Sequence, residues 1–150
     1  MTKRILVPLD RSAASEAALP IVADIARSAG STVRLLNVQP VPEAVVAEYG
    51  RVVAYQDQEM ERLQASGEMY LESAEAALHG VPAERTVRFG KPAEEILLES
   101  DAWDADLIVM TGPVPSAWAL PWRRGRVTRE VARHTPVPIL VHQSPTEDRR

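Results

Sequence analysis

The sequence predicts an α/β fold: an open parallel sheet of five strands with helices on both faces. Two observations carry this. Short apolar runs alternate along the chain with longer stretches of helical period, the signature of strands linked by right-handed helical crossovers. The first run, Arg4 to Leu9, is continuously apolar after its arginine and closes at Asp10, which suits a strand buried on both faces, as parallel sheets require. At 150 residues the chain is sized for one domain, residues 1–150, around a full core.

The elements follow in order. After the first strand, Ser12 is placed to cap a helix with Glu16 in its first turn. Ala14, Ala18, Ile21, Val22, Ile25 and Ala29 share one face before Gly30 ends it. Pro20 interrupts that pattern, since an interior proline loses a backbone bond and clashes one turn back, and predicts a kink in a single helix. Thr32 to Val38 is the second strand. Residues 39–54, with Pro40, Pro42 and Gly50, show no clean period and read as a flexible loop. Periodicity returns from Tyr55 to Leu78, where Met60, Leu63, Gly67, Tyr70, Leu71 and Ala74 make an apolar stripe ended by Gly80. Arg85 to Phe89 is the third strand. A short helix follows with Pro92 at its first position and Glu94 and Glu95 at the positive end of its dipole. Asp106 to Met110 is the fourth strand, Gly125 to Arg133 a helix, and Val137 to His142 the last strand. The tail 144–150 is polar and expected to fray.

Composition excludes several functions. A net charge of −4, with 45% hydrophobic and 25% charged residues, is ordinary for a soluble domain and favours neither nucleic acid nor an anionic membrane. Without cysteine there is no disulfide, thiolate metal site or cysteine nucleophile. The N-terminal apolar run stops at Pro8 and Asp10, too short for a signal peptide or a membrane span, so a cytoplasmic location is expected. His79, His134 and His142 have no ligand spacing, and no metal site is expected. No Ser-His-Asp or G-x-S-x-G arrangement appears, and the clustered glutamates of the helices read as solvent-facing. Catalysis has no candidate constellation.

In open parallel sheets, ligands bind beyond the carboxyl ends of the strands where the strand order reverses. Asp10 ends the first strand and Thr111-Gly112 end the fourth. If those strands are neighbours, both features face one crevice.

Several segments in a fixed order carry a family resemblance: ILVPLDRS at 5–12, SEAALPIVADIA at 15–26, VRLLNVQP at 33–40, GKPAEEIL at 90–97, DADLIVM at 104–110, and VAR and HTPVPILV between 131 and 141. Together they resemble the universal stress protein family over nearly the whole chain. The resemblance implies a Rossmann-like sheet of order 3-2-1-4-5, of the adenine nucleotide alpha hydrolase type, and a homodimer with a stress-response role. It also implies a possible ATP or AMP ligand, with or without Mg. Members that bind ATP share a loop G-x2-G-x9-G-[ST] after the fourth strand. Gly112 and Gly125 stand at the required separation. Pro115 stands at the second glycine and Arg126 at the hydroxyl position. The resemblance thus makes Pro8, Asp10 and Val38 on one side, and Thr111, Gly112, Pro115, Gly125, Arg126 and Val127 on the other, the candidate nucleotide-binding positions.

The departures weaken the motif. Proline lacks an N–H and fixes φ, and the lost hydroxyl removes a second phosphate contact. At roughly 1.5–3 kcal/mol per bond to a charged phosphate, the two losses amount to about two to four powers of ten in affinity. Arg126 opposes this, because a guanidinium engages phosphate through two parallel bonds. Three readings stay open: a regulatory module with weak or absent ATP binding, an ATP or AMP sensor that uses Arg126 and has at most slow ATP hydrolysis, and a scaffold that docks a partner through Trp118 to Trp122. Asp10 is read equally well as a turn residue capping the next helix, and the arginines from 123 to 133 as a solvated helix face. The last strand carries no charge to discourage edge pairing, so a homodimer through Val137 to Val141 is expected.

Overall fold

A computed structural model describes residues 2–42, 45–46, 52–54, 56–113 and 126–144. The elements run β1 (Arg4–Pro8), α1 (Ala13–Glu16), α2 (Leu19–Ala29), β2 (Thr32–Gln39), β3 (Val45–Val46), β4 (Val52–Ala54), α3 (Gln56–Glu75), β5 (Ala83–Phe89), α4 (Pro92–Trp103), β6 (Leu107–Pro113), α5 (Arg126–His134) and β7 (Ile139–Ser144). Five strands form one parallel sheet in the order β5-β2-β1-β6-β7. With β3 and β4 set apart, this is the expected order 3-2-1-4-5.

Alternation along the central strands divides the core. Ile5, Val7, Val33, Leu35 and Val109 bury one side under α2 and α3, against Leu19, Val22, Ala26, Leu71 and Ala74. Leu6, Leu36, Ile108 and Met110 bury the other under α4 and α5, against Ile96, Trp103 and Val131. Each fully buried aliphatic side chain contributes about 1.5–3 kcal/mol of transfer free energy. α3 comes so close to the sheet that a Cβ on Gly67 would stand 2.9 Å from Val87 Cγ2. Glycine is what allows that approach.

Several expectations need correction. Pro20 does not kink one helix: α1 and α2 are separate, with a turn at Ala17 and Ala18 and Pro20 in the first turn of α2. Proline lacks the N–H that would have bonded back to Glu16, and in the first turn that N–H is not needed. The segment 39–54 is not wholly irregular, since β3 and β4 pair antiparallel across a register irregularity and Gln39 completes β2. The long helix begins at Gln56 and ends at Glu75, followed by turns up to Leu78; Tyr55 lies outside the described residues. The third strand starts two residues earlier than expected, at Ala83, in register with Val33. β6 runs on through Thr111, Gly112 and Pro113 because β7 pairs with it that far. β7 itself starts at Ile139, not Val137: Val137 N–H is taken by Thr135 Oγ1 at 3.0 Å, and Pro138 offers only its carbonyl, to Ile108 N.

Glu99 is the largest departure. It is 4% exposed, not solvent-facing. Its carboxylate accepts from Arg34 Nη1 and Arg88 Nη1, both at 2.7 Å, tying α4 to β2 and β5. Arg34 also donates to Glu84 and lies 4.6 Å over the Trp103 ring. Leu98 beside it is 53% exposed.

Candidate functional site

The sheet opens between β1 and β6. These strands are neighbours, but their register covers only Ile5↔Leu107 and Leu6↔Ile108. β1 stays paired with β2 as far as Pro8↔Leu36, and β6 with β7 as far as Pro113↔Ser144. Beyond Leu6 and Ile108 the central strands separate toward their carboxyl ends, at the reversal of strand order where α/β sheets receive ligands.

The β1 lip is built from polar groups that satisfy one another. Leu9 N–H donates to Leu36 O at 2.8 Å, and buried Asn37 donates through Nδ2 to Leu9 O at 2.9 Å. Gln39 Nε2 donates to Asn37 Oδ1. Asp10 Oδ1 accepts from Ser12 N–H at 2.9 Å and from the Ser12 hydroxyl. Ser12 Oγ in turn caps α1 by accepting from Ser15 N–H at 3.0 Å. Burial alone would raise the Asp10 carboxyl; the side-chain and backbone hydrogen bonds it accepts from Ser12 outweigh that and hold the group below its ordinary value. The capping geometry is thus present, and Oδ2 accepts no hydrogen bond from the described residues. Pro8 is the last residue of β1 and pairs with Leu36. Val38 packs, partly buried, against the cluster under α4 and α5 and pairs with Arg88 of β5.

Arg11, which the sequence did not single out, is prominent on this lip. Its φ is 71°, Nη2 donates to Ser66 Oγ of α3 at 2.8 Å, and its guanidinium lies 5.4 Å over the Tyr70 ring. Tyr70 Oη is buried without a hydrogen-bond partner among the described residues. Burial, then the Glu16 carboxylate, push its phenol above the ordinary value. Backbone φ and a contact 55 residues away leave no trace in local composition.

On the β6 lip, Thr111 Oγ1 is buried and without a hydrogen-bond partner among the described residues. Gly112 packs against β7 and the first turn of α5: a Cβ there would stand 3.2 Å from Val141 Cγ1 and 4.0 Å from Thr128 Oγ1. Thr128 was missed in the sequence because it stands two residues beyond the hydroxyl position of the loop motif. Arg126 opens α5 with its side chain 79% exposed; its nearest acidic partner is Glu130 at 3.8 Å. Val127 packs into the α4/α5 cluster. Pro115, Gly125, Trp118 and Trp122 lie outside the described residues, as does the tail from 145. Asp10, Thr111, Gly112 and Arg126 are thus carried by the carboxyl ends of the two separating strands and by the helix packed on one of them.

The Universal stress protein family model matches residues 1–143. The chain belongs to this family. Among solved structures, the hypothetical protein MJ0577 is 24% identical, with a TM-score of 0.76 over 96% of this chain and 97% of that one. A universal stress protein in complex with cAMP is 18% identical, with a TM-score of 0.66 over 95% and 97%. The universal stress protein from Archaeoglobus fulgidus in complex with dAMP is 17% identical, with a TM-score of 0.60 over 94% and 97%. No curated protein matches. At these identities the solved universal stress proteins and this chain share a fold.

Among the described residues no group of three or more His, Asp or Glu is arranged to hold a metal ion, and no helix is long and apolar enough to cross a membrane. An open depression of about 260 Å³ between α3 and β5 is lined by Glu68, Glu75, Glu84 and Arg85. Its Glu75 and Glu84 already pair with Arg85 and Arg34.

Proposed function

We propose that this universal stress protein is a dimeric regulatory module of the stress response that binds adenine nucleotides weakly at the β1/β6 crevice. The observation that carries the reading is the early end of β1–β6 pairing at Leu6↔Ile108, with Asp10 on one lip and Gly112 on the other. Structural relatives held with cAMP and dAMP support the ligand class. Asp10 Oδ2 would accept from a ribose hydroxyl, the backbone at Val38 would meet the base, and Gly112 would let the chain approach the phosphates. Weak affinity follows from Pro115 and Arg126 in the loop motif, which remove an amide donor and a compact hydroxyl. A bound magnesium ion would be carried by the nucleotide phosphates, which supply the oxygens it prefers.

One observation favours a sensor of working affinity: Arg126 is 79% exposed and its ion pair with Glu130 is long, at 3.8 Å, so its guanidinium can turn to an anion. Heat release of the purified protein's contents, followed by calorimetry with Mg-ATP, separates the two readings. Near-stoichiometric ATP or AMP in the supernatant overturns weak binding; no saturation at millimolar Mg-ATP overturns the sensor. The dimer is supported by β7, an edge strand in the sheet with Leu140 and Val141 38% and 39% exposed. Light scattering at micromolar concentration tests it, and a monomeric mass rejects it.

A further inference from the structure

Arg11 sits in the left-handed region at φ 71°, a conformation that glycine takes freely and other residues adopt at a cost. Such strain persists where the surroundings over-determine it, and it gathers at ligand sites. Here Ser66 Oγ accepts from Nη2 at 2.8 Å, and the Tyr70 ring lies beneath the guanidinium at 5.4 Å. On the other flank Asp10 closes the turn by accepting the Ser12 amide. Arg11 remains exposed, so the face of the guanidinium turned away from Tyr70 is open, one residue beyond Asp10 at the carboxyl end of β1.

We propose that Arg11 is a specificity-determining residue of the nucleotide site, whose open guanidinium face stacks on the planar base of the ligand. This rests on the adenine-nucleotide reading above. A base suits the position better than a phosphate. Asp10 adjoins Arg11 in the chain, and the carboxylates of Glu16 and Asp10 both act on the Tyr70 phenol beneath it. Two negative charges repel a phosphate and leave a neutral base unaffected. Tyr70 and Ser66 also fix the guanidinium plane before the ligand arrives, so little side-chain freedom is lost on stacking. A lysine offers the charge without the plane.

The test is titration of the wild-type protein, Arg11→Gly and Arg11→Lys with adenosine, AMP and inorganic tripolyphosphate, with a thermal melt of each. Arg11→Gly relieves the strained φ, so its melting temperature is expected to hold or rise. Adenosine and AMP should bind both variants about ten-fold more weakly, with tripolyphosphate unchanged. Should Arg11→Gly melt lower, Arg11→Lys, which keeps the charge and the same backbone demand, decides. Wild-type affinity for adenosine in either variant, or a loss seen only with tripolyphosphate, overturns the stacking role alone. Wild-type protein without saturable binding of AMP or adenosine overturns the nucleotide reading and the stacking with it.

Discussion

The two lips of the crevice are built on different principles. On the β1 lip, Asn37, Gln39, Asp10, Ser12 and Ser15 satisfy one another, and Arg11 is strapped to α3. On the β6 lip, Thr111 holds a buried hydroxyl with no partner among the described residues, Gly112 is buried against Val141 and Thr128, and Arg126 extends into solvent. A lip whose polar groups are already paired sets orientation at no further cost when a ligand arrives, whereas the β6 side carries both substitutions in the loop motif, Pro115 and Arg126. Ligand affinity should therefore respond most to the β6 side, and stability to the β1 side.

The largest expected effect tests that asymmetry directly. Pro115→Gly with Arg126→Ser restores the loop motif and should raise Mg-ATP affinity by about two to four powers of ten, read by calorimetry. An unchanged affinity would show that the defect lies elsewhere. Next, Asp10→Ala should lower stability by about 1 kcal/mol in urea unfolding at pH 7, the worth of a partly exposed, charge-assisted capping turn. The pH sign follows from its lowered pKa. Asp10 contributes above its unfolded value of about 4, and the contribution is lost as pH falls through the lower folded value. The gap between wild type and variant should accordingly close in acid; a gap that persists or widens there assigns the effect to packing. Smallest is Thr111→Val, which removes a hydroxyl without a partner among the described residues and keeps the shape. Stability should stay level or rise by roughly 0.5 kcal/mol, and a clear loss would mean that the hydroxyl is satisfied.

The central strands were legible in the sequence because their residues serve one local purpose. Leu6 and Ile108 are buried whichever neighbour they have, and an apolar run reports that. Glu99 was not legible: its carboxylate is buried only because Arg34 of β2 and Arg88 of β5 converge on it, and a glutamate one residue after Leu98 gives no sign of which of the two faces inward. The short β3–β4 pair escaped notice for a related reason, since strands of two and three residues have no measurable period. Of the candidate site, Asp10 and the Gly112/Gly125 spacing were visible as motif. Arg11, Tyr70 and Thr128 were not, because contacts across the fold define them.

The sequence by itself determined the family, the alternation of strands and helices, and the two loop substitutions, all of which depend on residue identity and order. Only the tertiary structure decided where β1 and β6 part, which arginines share Glu99, and that Arg11 bears a left-handed backbone against Tyr70. Burial patterns are written locally along a chain. Where strands diverge, and how charges pair, depends on residues far apart in sequence that meet only in the fold.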